Sequence, residues 1–376
     1  MKIIIEALFY GENAGMAKHL RELLLKWVNN SSVNLVVYVP SNKLKYFSLP
    51  SNDNINLRGV RLVQYSPLLG IMWKLFILSV ITRLSGAEKL FLPFNAFVPT
   101  KKWYGVETLV VIRDLAECVI KDKYDPLRIF YRTKVMLPLT LTNASKIIFI
   151  SKSTFRDAVQ YMGYKKTNYR IIYHGRSIEF VPGLPQDCYI KGETLKNHKY
   201  FLTVGRIDPI GKNLIKPLLA FEKFANSRAH EDIKYVFSGA DWRNSNIFYE
   251  YLSKYKFKDR VLVLGYVSIK ELIDLYSNAI ACVFPSFYEG FGHPLIESMS
   301  CGCPVACSNT SSFIEIASNA AMFFDPKNEN DILLSMNEVF ANERKRNEMI
   351  KNGFVNIERY SWKITAKKTL NYLLES

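Results

Sequence analysis

Short β-branched apolar runs alternate along this chain with longer stretches whose apolar residues return every three or four positions. In the first half the runs are "KIIIEALF", "VNLVVYV", "GVRLVQY", "KLFLPF", "TLVVIRD", "KIIFIS" and "RIIYH". A second series follows with "YFLTVGR", "IKYVFSG", "RVLVLGYV", "IACVFPS", "CPVACS" and "AAMFFD". Between them lie helical patterns such as "AGMAKHLRELLLKWVNN", where Met16, Leu20, Leu23, Leu24 and Trp27 share one face. Near-continuous apolar strands separated by helices predict parallel sheets covered on both faces. The stretch 177–199, "SIEFVPGLPQDCYIKGETLKNHK", is rich in Pro, Gly and polar residues and breaks the rhythm. The expectation is two doubly wound α/β domains, 1–178 and 199–356, joined by a linker at 179–198 and facing a central cleft. A last helix at 357–376 would pack back on the first domain.

A length of 376 residues suits two domains of ordinary size, and 49% hydrophobic content supplies their cores. The N-terminal run reads as a first buried strand, since Glu6 interrupts it and no small-residue cleavage site follows. The most apolar segment, 68–81, is too short for a membrane span and carries Lys74 near its middle; the longer run 68–85 adds Arg83. It fits a helix lying at a membrane interface, but a helix buried against the first sheet is the preferred reading. Cys301 and Cys303 stand as C-x-C without a second pair at zinc spacing, so no metal site is expected.

Charge divides the chain. Residues 1–178 hold 26 Lys+Arg against 11 Asp+Glu, a net of +15, and the remainder holds 24 against 23, a net of +1. The basic half is expected to meet an anionic partner: a phospholipid surface, a lipid-diphosphate or nucleic acid. Its clusters "KKWYG", "KDKY" and "YKKTNYR" mix cations with aromatics, which suits a membrane interface. No nucleic-acid module is visible, and a nucleic-acid binder would rest on charge alone.

Two places carry candidate chemistry. In "VGRIDPIGKN" a buried strand ends at Gly205-Arg206, and Lys212-Asn213 is predicted to open a helix. Arg206 and Lys212 at such a place suit a diphosphate, because cations balance charge building on a leaving phosphate. In "FPSFYEGFGHPLIESMSCG" a strand ends at Pro285-Ser286, and a loop with Gly290 and Gly292 allows close backbone approach. Pro294 is predicted at the first helical position, Gly302 closes the helix, and Glu297 falls in the first turn.

The order of these parts (Gly-Arg, Lys-Asn, Gly265-Tyr266-Val267, then Glu289 and Glu297 in an E-x7-E arrangement) resembles the retaining glycosyltransferases of family four, which have the GT-B architecture. The matching segments cover most of residues 144–370, and within the family the phrasing is similar to mannosyltransferases of O-antigen synthesis. The resemblance implies that Glu297 binds the ribose hydroxyls, Arg206 and Lys212 the diphosphate, and Glu289 the donor sugar. It further implies that the backbone Gly290–Phe291–Gly292–His293 holds sugar and distal phosphate. Tyr266 and Val267 would line the base, and Gly15, in the loop after the first strand, would approach the donor phosphates.

The chain departs from the family at Arg113-Asp114, where His-Asp is common, at His174-Gly175 in the hinge, and at His293. Arg113 cannot shuttle protons near neutral pH, so an acidic sugar or acceptor phosphate is its expected contact, with Asp114 beside it. No Asp-x-Asp occurs, so neither a metal nor another cofactor is expected. The implied activity is transfer of a hexose from a nucleotide-sugar, GDP-mannose being favoured over UDP-hexose or dTDP-rhamnose, to a lipid-linked saccharide. The implied location is cytoplasmic, peripheral at the inner face of the plasma membrane. A sugar-nucleotide epimerase of the same architecture and a noncatalytic binding protein stand as alternatives.

Overall fold

The structure is a computed structural model describing residues 1–8, 14–28, 30–49, 54–61, 67–120, 123–183, 189–190, 193–195, 198–227 and 232–375. It forms two compact units, Met1–Cys118 with Asp125–Gly175 and Tyr360–Ser376, and Val119–Tyr124 with Arg176–Arg359.

The first unit holds seven strands: β1 (Lys2–Glu6), β2 (Asn34–Pro40), β3 (Ile55–Val60), β4 (Lys89–Leu92), β5 (Glu107–Ile112), β6 (Lys146–Phe149) and β7 (Tyr169–Ile171). All pair in parallel in the order β3-β2-β1-β4-β5-β6-β7. Ile3, Ile4 and Ile5 are fully buried, as a strand covered on both faces requires. The helix Ala14–Trp27 covers the sheet through Ala17, Leu20, Leu23, Leu24 and Trp27. Trp27 Nε1 donates to the Ala366 carbonyl at 3.1 Å, tying this helix to the final helix Trp362–Leu374. The Lys89 and Lys146 ammonium groups, at the amino ends of β4 and β6, donate to the Glu375 carbonyl and so cap the final helix with cations.

In the second unit β8 (Tyr189–Ile190) and β9 (Glu193–Thr194) form a small antiparallel pair within the predicted linker. The main sheet comprises β10 (Lys199–Val204), β11 (Ile233–Ser238), β12 (Val261–Val263), β13 (Ala281–Phe284), β14 (Val305–Ser308) and β15 (Met322–Phe324). Its parallel order is β12-β11-β10-β13-β14-β15. Phe201, Phe221, Phe224, Tyr235 and Phe237 fill the core on one side. Cys282, Cys301, Cys303 and Cys307 are buried free thiols, and burial pushes the Cys301 thiol up to about 12.

Each sheet therefore reverses its strand order once, between β1 and β4 and between β10 and β13, and ligands of such sheets bind outside the carboxyl ends at that switch. The doubly wound reading holds for both units. Three local readings change. The strand predicted at "GVRLVQY" ends at Val60 and begins earlier, at Ile55, while 62–66 lie outside the described residues. The segment predicted at 68–85 is a helix, Pro67–Met72, a π turn Trp73–Ile77 and Leu78–Leu84, but only part of it is buried. Trp73, Leu78 and Thr82 face inward, whereas Leu69, Met72, Phe76, Val80 and Leu84 are exposed. The burial expectation is met by one face alone, because apolar residues occupy both. Gly15 lies in the first turn of a helix, not in a loop.

Candidate active site

The carboxyl ends of β10, β11 and β12 are followed by Gly205, Gly239 and Gly265, all at positive φ (+149°, +152° and +64°). Gly205 N–H donates to the Ser238 carbonyl at 2.9 Å, and Gly239 N–H to the Gly265 carbonyl at 2.8 Å. A Cβ on Gly239 would overlap the Gly205 carbonyl, 2.5 Å from its carbon. These glycines leave a floor without side chains at three adjacent strand ends.

Arg206 rises from that floor with its guanidinium 3.9 Å from the centre of the Trp242 ring. Burial lowers the Arg206 pKa, against the opposing pull of Tyr124 and Asp208. Buried Asp208 then organises the turn: Oδ1 accepts from Gly211 N–H at 2.9 Å, Oδ2 pairs with Lys123 at 2.6 Å, and its carbonyl accepts from Lys212 N–H at 2.9 Å. Asn213, at φ +54°, donates to the carbonyls of Pro285 at 3.1 Å and Pro326 at 2.8 Å. Lys212 is thus fixed by main chain and Asn213, and the helix opens two residues later than expected, at Ile215.

The second loop comes to the same place. Phe287 N–H donates to the Gly211 carbonyl at 3.3 Å, and the Lys212 ammonium pairs with Glu289 Oε1. Ser286 Oγ donates to the same oxygen at 2.8 Å. Ser311, itself at φ +50°, accepts from Glu289 N–H at 2.9 Å, and Ser312 Oγ donates to the carbonyls of Glu289 and Phe291, both at 2.9 Å. Gly292 has φ +101°, and a Cβ there would lie 2.8 Å from the Phe313 ring. Two stretches seventy-odd residues apart, "GRIDPIGKN" and "SFYEGFG", therefore meet at the β10–β13 switch.

Lys212 and Glu289 form one ion pair, while Arg206 is held by an aromatic ring. Gly290 is half-buried and Phe291 buried, and His293 is the first residue of the helix His293–Ser300 with its ring 5.1 Å from Phe291. Pro294 is consequently the second helical residue. Glu297 is half-buried in the second turn, not the first, because the helix begins at His293; its charge helps raise the pKa of Tyr276, after burial. Tyr266 is exposed and Val267 buried just after Gly265.

In the first unit Arg113 and Asp114 follow β5. Asn95 clasps them: its Oδ1 accepts from Arg113 N–H at 2.7 Å and its amide donates to the Asp114 carbonyl at 2.9 Å. The Arg113 guanidinium lies 3.3 Å from His19 Nδ1 and 5.9 Å from the centre of the Phe94 ring. Burial draws its pKa down to about 10, against Asp114, which raises it. His19 and His174 are buried with ring centres 4.3 Å apart, both beside Trp362. A Cβ on Gly175 would lie 2.6 Å from Trp362 Cα, so the hinge glycine is required by this close approach. Gly15 is exposed, and a Cβ there would meet nothing within 4 Å.

A family profile described as "Glycosyl transferases group 1" matches residues 189–355. The chain is 26% identical over 279 residues to an O-antigen chain mannosyltransferase B of Escherichia coli, covering 74% of this chain and 72% of that protein. It is 35% identical over 119 residues to the O-antigen chain mannosyltransferase RfbU of Salmonella typhimurium, 32% and 33% of the two chains. The chain is a glycosyltransferase of the GT-B type. Its fold matches that of HepE from Anabaena, a structure holding UDP and glucose, with a TM-score of 0.75 over all of both chains at 15% identity.

Several residues that support the candidate residues within each unit were invisible to motif reading. Asp208, Trp242, Ser286, Ser311, Ser312 and Asn95 each act through one or two hydrogen bonds or a ring face, and their residue types are common in any loop. The one available signal was "SNTSSF", a cluster of small hydroxyl residues straight after a buried strand.

Proposed function

We propose that this glycosyltransferase moves a hexose from a nucleotide-sugar to a hydroxyl of a lipid-linked saccharide, with retention at the anomeric carbon, in bacterial surface-polysaccharide synthesis. The observation that carries the reading is the Lys212–Glu289 pair at the β10–β13 switch, with Arg206 directly after Gly205 at the glycine-lined end of β10.

Arg206 and Lys212 receive the diphosphate, whose negative charge grows as the sugar–oxygen bond breaks. Lys212 exchanges part of its pairing with Glu289 for phosphate oxygens. Glu289 then accepts from donor-sugar hydroxyls, and Glu297 accepts from the ribose. Gly290, Phe291, Gly292 and His293 lend backbone to sugar and distal phosphate, Tyr266 and Val267 line the base, and Gly15 approaches the phosphates. The acceptor oxygen attacks the face that the diphosphate leaves, and its proton passes to a diphosphate oxygen. No metal is needed, since two cations already meet the leaving charge. Arg113 and Asp114 contact the acceptor or donor sugar; a permanently charged guanidinium suits an acidic group there.

GDP-mannose is the favoured donor, supported by mannosyltransferase relatives. UDP-hexose is the chief rival, since a Campylobacter relative 24% identical over 282 residues transfers N-acetylgalactosamine and the HepE structure holds UDP. The basic first half is read as meeting an anionic membrane at the inner face of the plasma membrane, not nucleic acid.

Thermal shift with GDP-, UDP-, dTDP- and ADP-sugars tests the reading. A ligand at a hundred times its Kd stabilises by about 2.7 kcal/mol. Absence of a shift with every nucleotide overturns it, and turnover of donor without acceptor would instead indicate an epimerase.

A further inference from the structure

We infer that the outward face of the helix spanning 67–84, with the turn at Lys101–Lys102, is a docking surface for an anionic lipid bilayer. Leu69, Met72, Phe76, Val80 and Leu84 recur every three or four residues along this face and stay 41–81% exposed. At ~1.5 Å of rise per residue the stripe is roughly 20 Å long. Isolated exposed apolar residues need no explanation, but a continuous stripe of this length marks an interaction surface.

The stripe is held in place from behind. Trp73 packs on Tyr38 with ring centres 5.3 Å apart, and Thr82 Oγ1 donates to the Tyr104 carbonyl at 2.6 Å. The turn after Thr100 is bound to the same helix: Trp103 Nε1 donates to the Leu75 carbonyl at 2.9 Å, and Arg83 donates to the carbonyls of Lys102 at 2.7 Å and Trp103 at 2.8 Å. The exposed lysines 101 and 102 therefore sit beside the apolar stripe as part of one rigid surface.

Charge selects the occupant. Residues 54–87 contain Arg58, Arg61, Lys74 and Arg83 and no acidic residue. Lys74 pairs with buried Glu6 at 3.1 Å, so the positive charge facing outward comes from the arginines and the Lys101–Lys102 turn. Lys101 also lines a cavity of about 580 Å³ with Lys165, Lys166 and the Lys146–Glu107 pair (2.9 Å), where three lysines remain beyond that pair to meet an anionic headgroup. Burial, and then the charge of Lys101, lower the Lys166 pKa, so an anion there would relieve crowding among the cations. A second copy packed stripe to stripe would bring these cations against their own likes. An anionic bilayer offers an apolar interior under a negative surface and matches both halves of the pattern. The helix lies on such a surface and does not cross it: among the described residues no helix is long and apolar enough to span a membrane.

This deepens the membrane reading above, which net charge alone would satisfy, by naming the residues that insert. The test is flotation of the full chain with vesicles of phosphatidylcholine, with and without phosphatidylglycerol as a third of the lipid. Wild type is expected on the anionic vesicles. The double variant Phe76→Ser/Val80→Ser removes two half-exposed apolar side chains and should lower the partition coefficient by about tenfold or more. Its nucleotide-sugar thermal shift should remain unchanged, which shows that it folds. Lys101→Gln/Lys102→Gln should weaken binding and flatten its salt dependence. Equal partition of the serine variant and wild type overturns the stripe while leaving a purely electrostatic membrane reading intact. Equal binding to neutral vesicles removes the charge argument, and a wild-type dimer abolished by the serine variant assigns the face to a second copy instead.

Discussion

Gly239→Ala tests whether the glycine floor shapes the donor site. The native φ of +152° is open to glycine alone, and holding alanine there costs on the order of 1–3 kcal/mol. The new Cβ would stand 2.5 Å from the Gly205 carbonyl carbon and 3.2 Å from Arg206 N, so one strand end must give way. Yet Gly205 is bonded to Ser238 at 2.9 Å and Gly239 to Gly265 at 2.8 Å, and both bonds resist the movement. Overpacking of this kind adds about 1–3 kcal/mol, for a total of about 2–6 kcal/mol. In a unit of this size each kcal/mol moves the transition by about 2–4 °C, so the melting temperature should fall on the order of 10 °C. Because Arg206 follows Gly205 directly, nucleotide-sugar affinity should fall as well. Gly15→Ala serves as the comparison for melting alone: its Cβ meets nothing, and alanine in a helix favours stability by ~0.5–1 kcal/mol. If Gly239→Ala melts within two or so degrees of wild type, ~1 kcal/mol, and binds donor equally well, the floor argument is wrong.

Glu289→Gln and Lys212→Ala should each cut turnover by about a hundredfold or more while the fold persists; wild-type rates in either would remove that pair from the chemistry. Chelation with EDTA should leave transfer unchanged, and a loss restored by a divalent cation would refute the metal-free reading. Buried Glu117 is pushed up by burial but pulled further down by Arg132 and Arg128, so it ends below its ordinary 4.5. A lowered carboxylate pKa means that its stabilisation is complete above about 4.5 and lost as pH falls through the folded value. Glu117→Gln should therefore destabilise at pH 7 by about 1–3 kcal/mol and shed part of the acid sensitivity of melting; an unaltered pH profile would count against it. Asn95→Ala should leave binding of the free nucleotide unchanged but raise the KM of the sugar substrate that Arg113 and Asp114 contact, as kinetics with donor and acceptor varied in turn would show.

The strands were legible because burial on both faces writes the same apolar run wherever it occurs; Ile3–Ile5 and Ala281–Phe284 need no context. The strand near residue 60 was misplaced because Asn56, Arg58 and Gly59 interrupt its run, although pairing with Leu35–Pro40 holds it. The helix at 67–84 was misjudged for the opposite reason, since an apolar residue carries no mark of which side is wet. In the site, Arg206, Lys212 and Glu289 stood out by type and spacing. Their supports did not, because Ser312 or Asp208 gains its role only from what lies across the fold. Glu297 falls in the second turn and not the first because the helix starts one residue earlier than expected, at His293, and helix ends are uncertain by a residue or two.

The final helix, Trp362–Leu374, completes the first unit although the whole second unit precedes it in the chain. On a ribosome the usual order of domain folding is then reversed. The second unit has all its strands before residue 360 is made, while the first sheet waits with Trp27 uncovered and Lys89 and Lys146 without their carbonyl partner. Nascent chains stalled near residue 360 should bind nucleotide-sugar yet leave Trp27 open to protease. Excising residues 1–175 for study would produce the same unfinished sheet, whereas a circular permutant that places the last helix before β1 would restore a contiguous first unit.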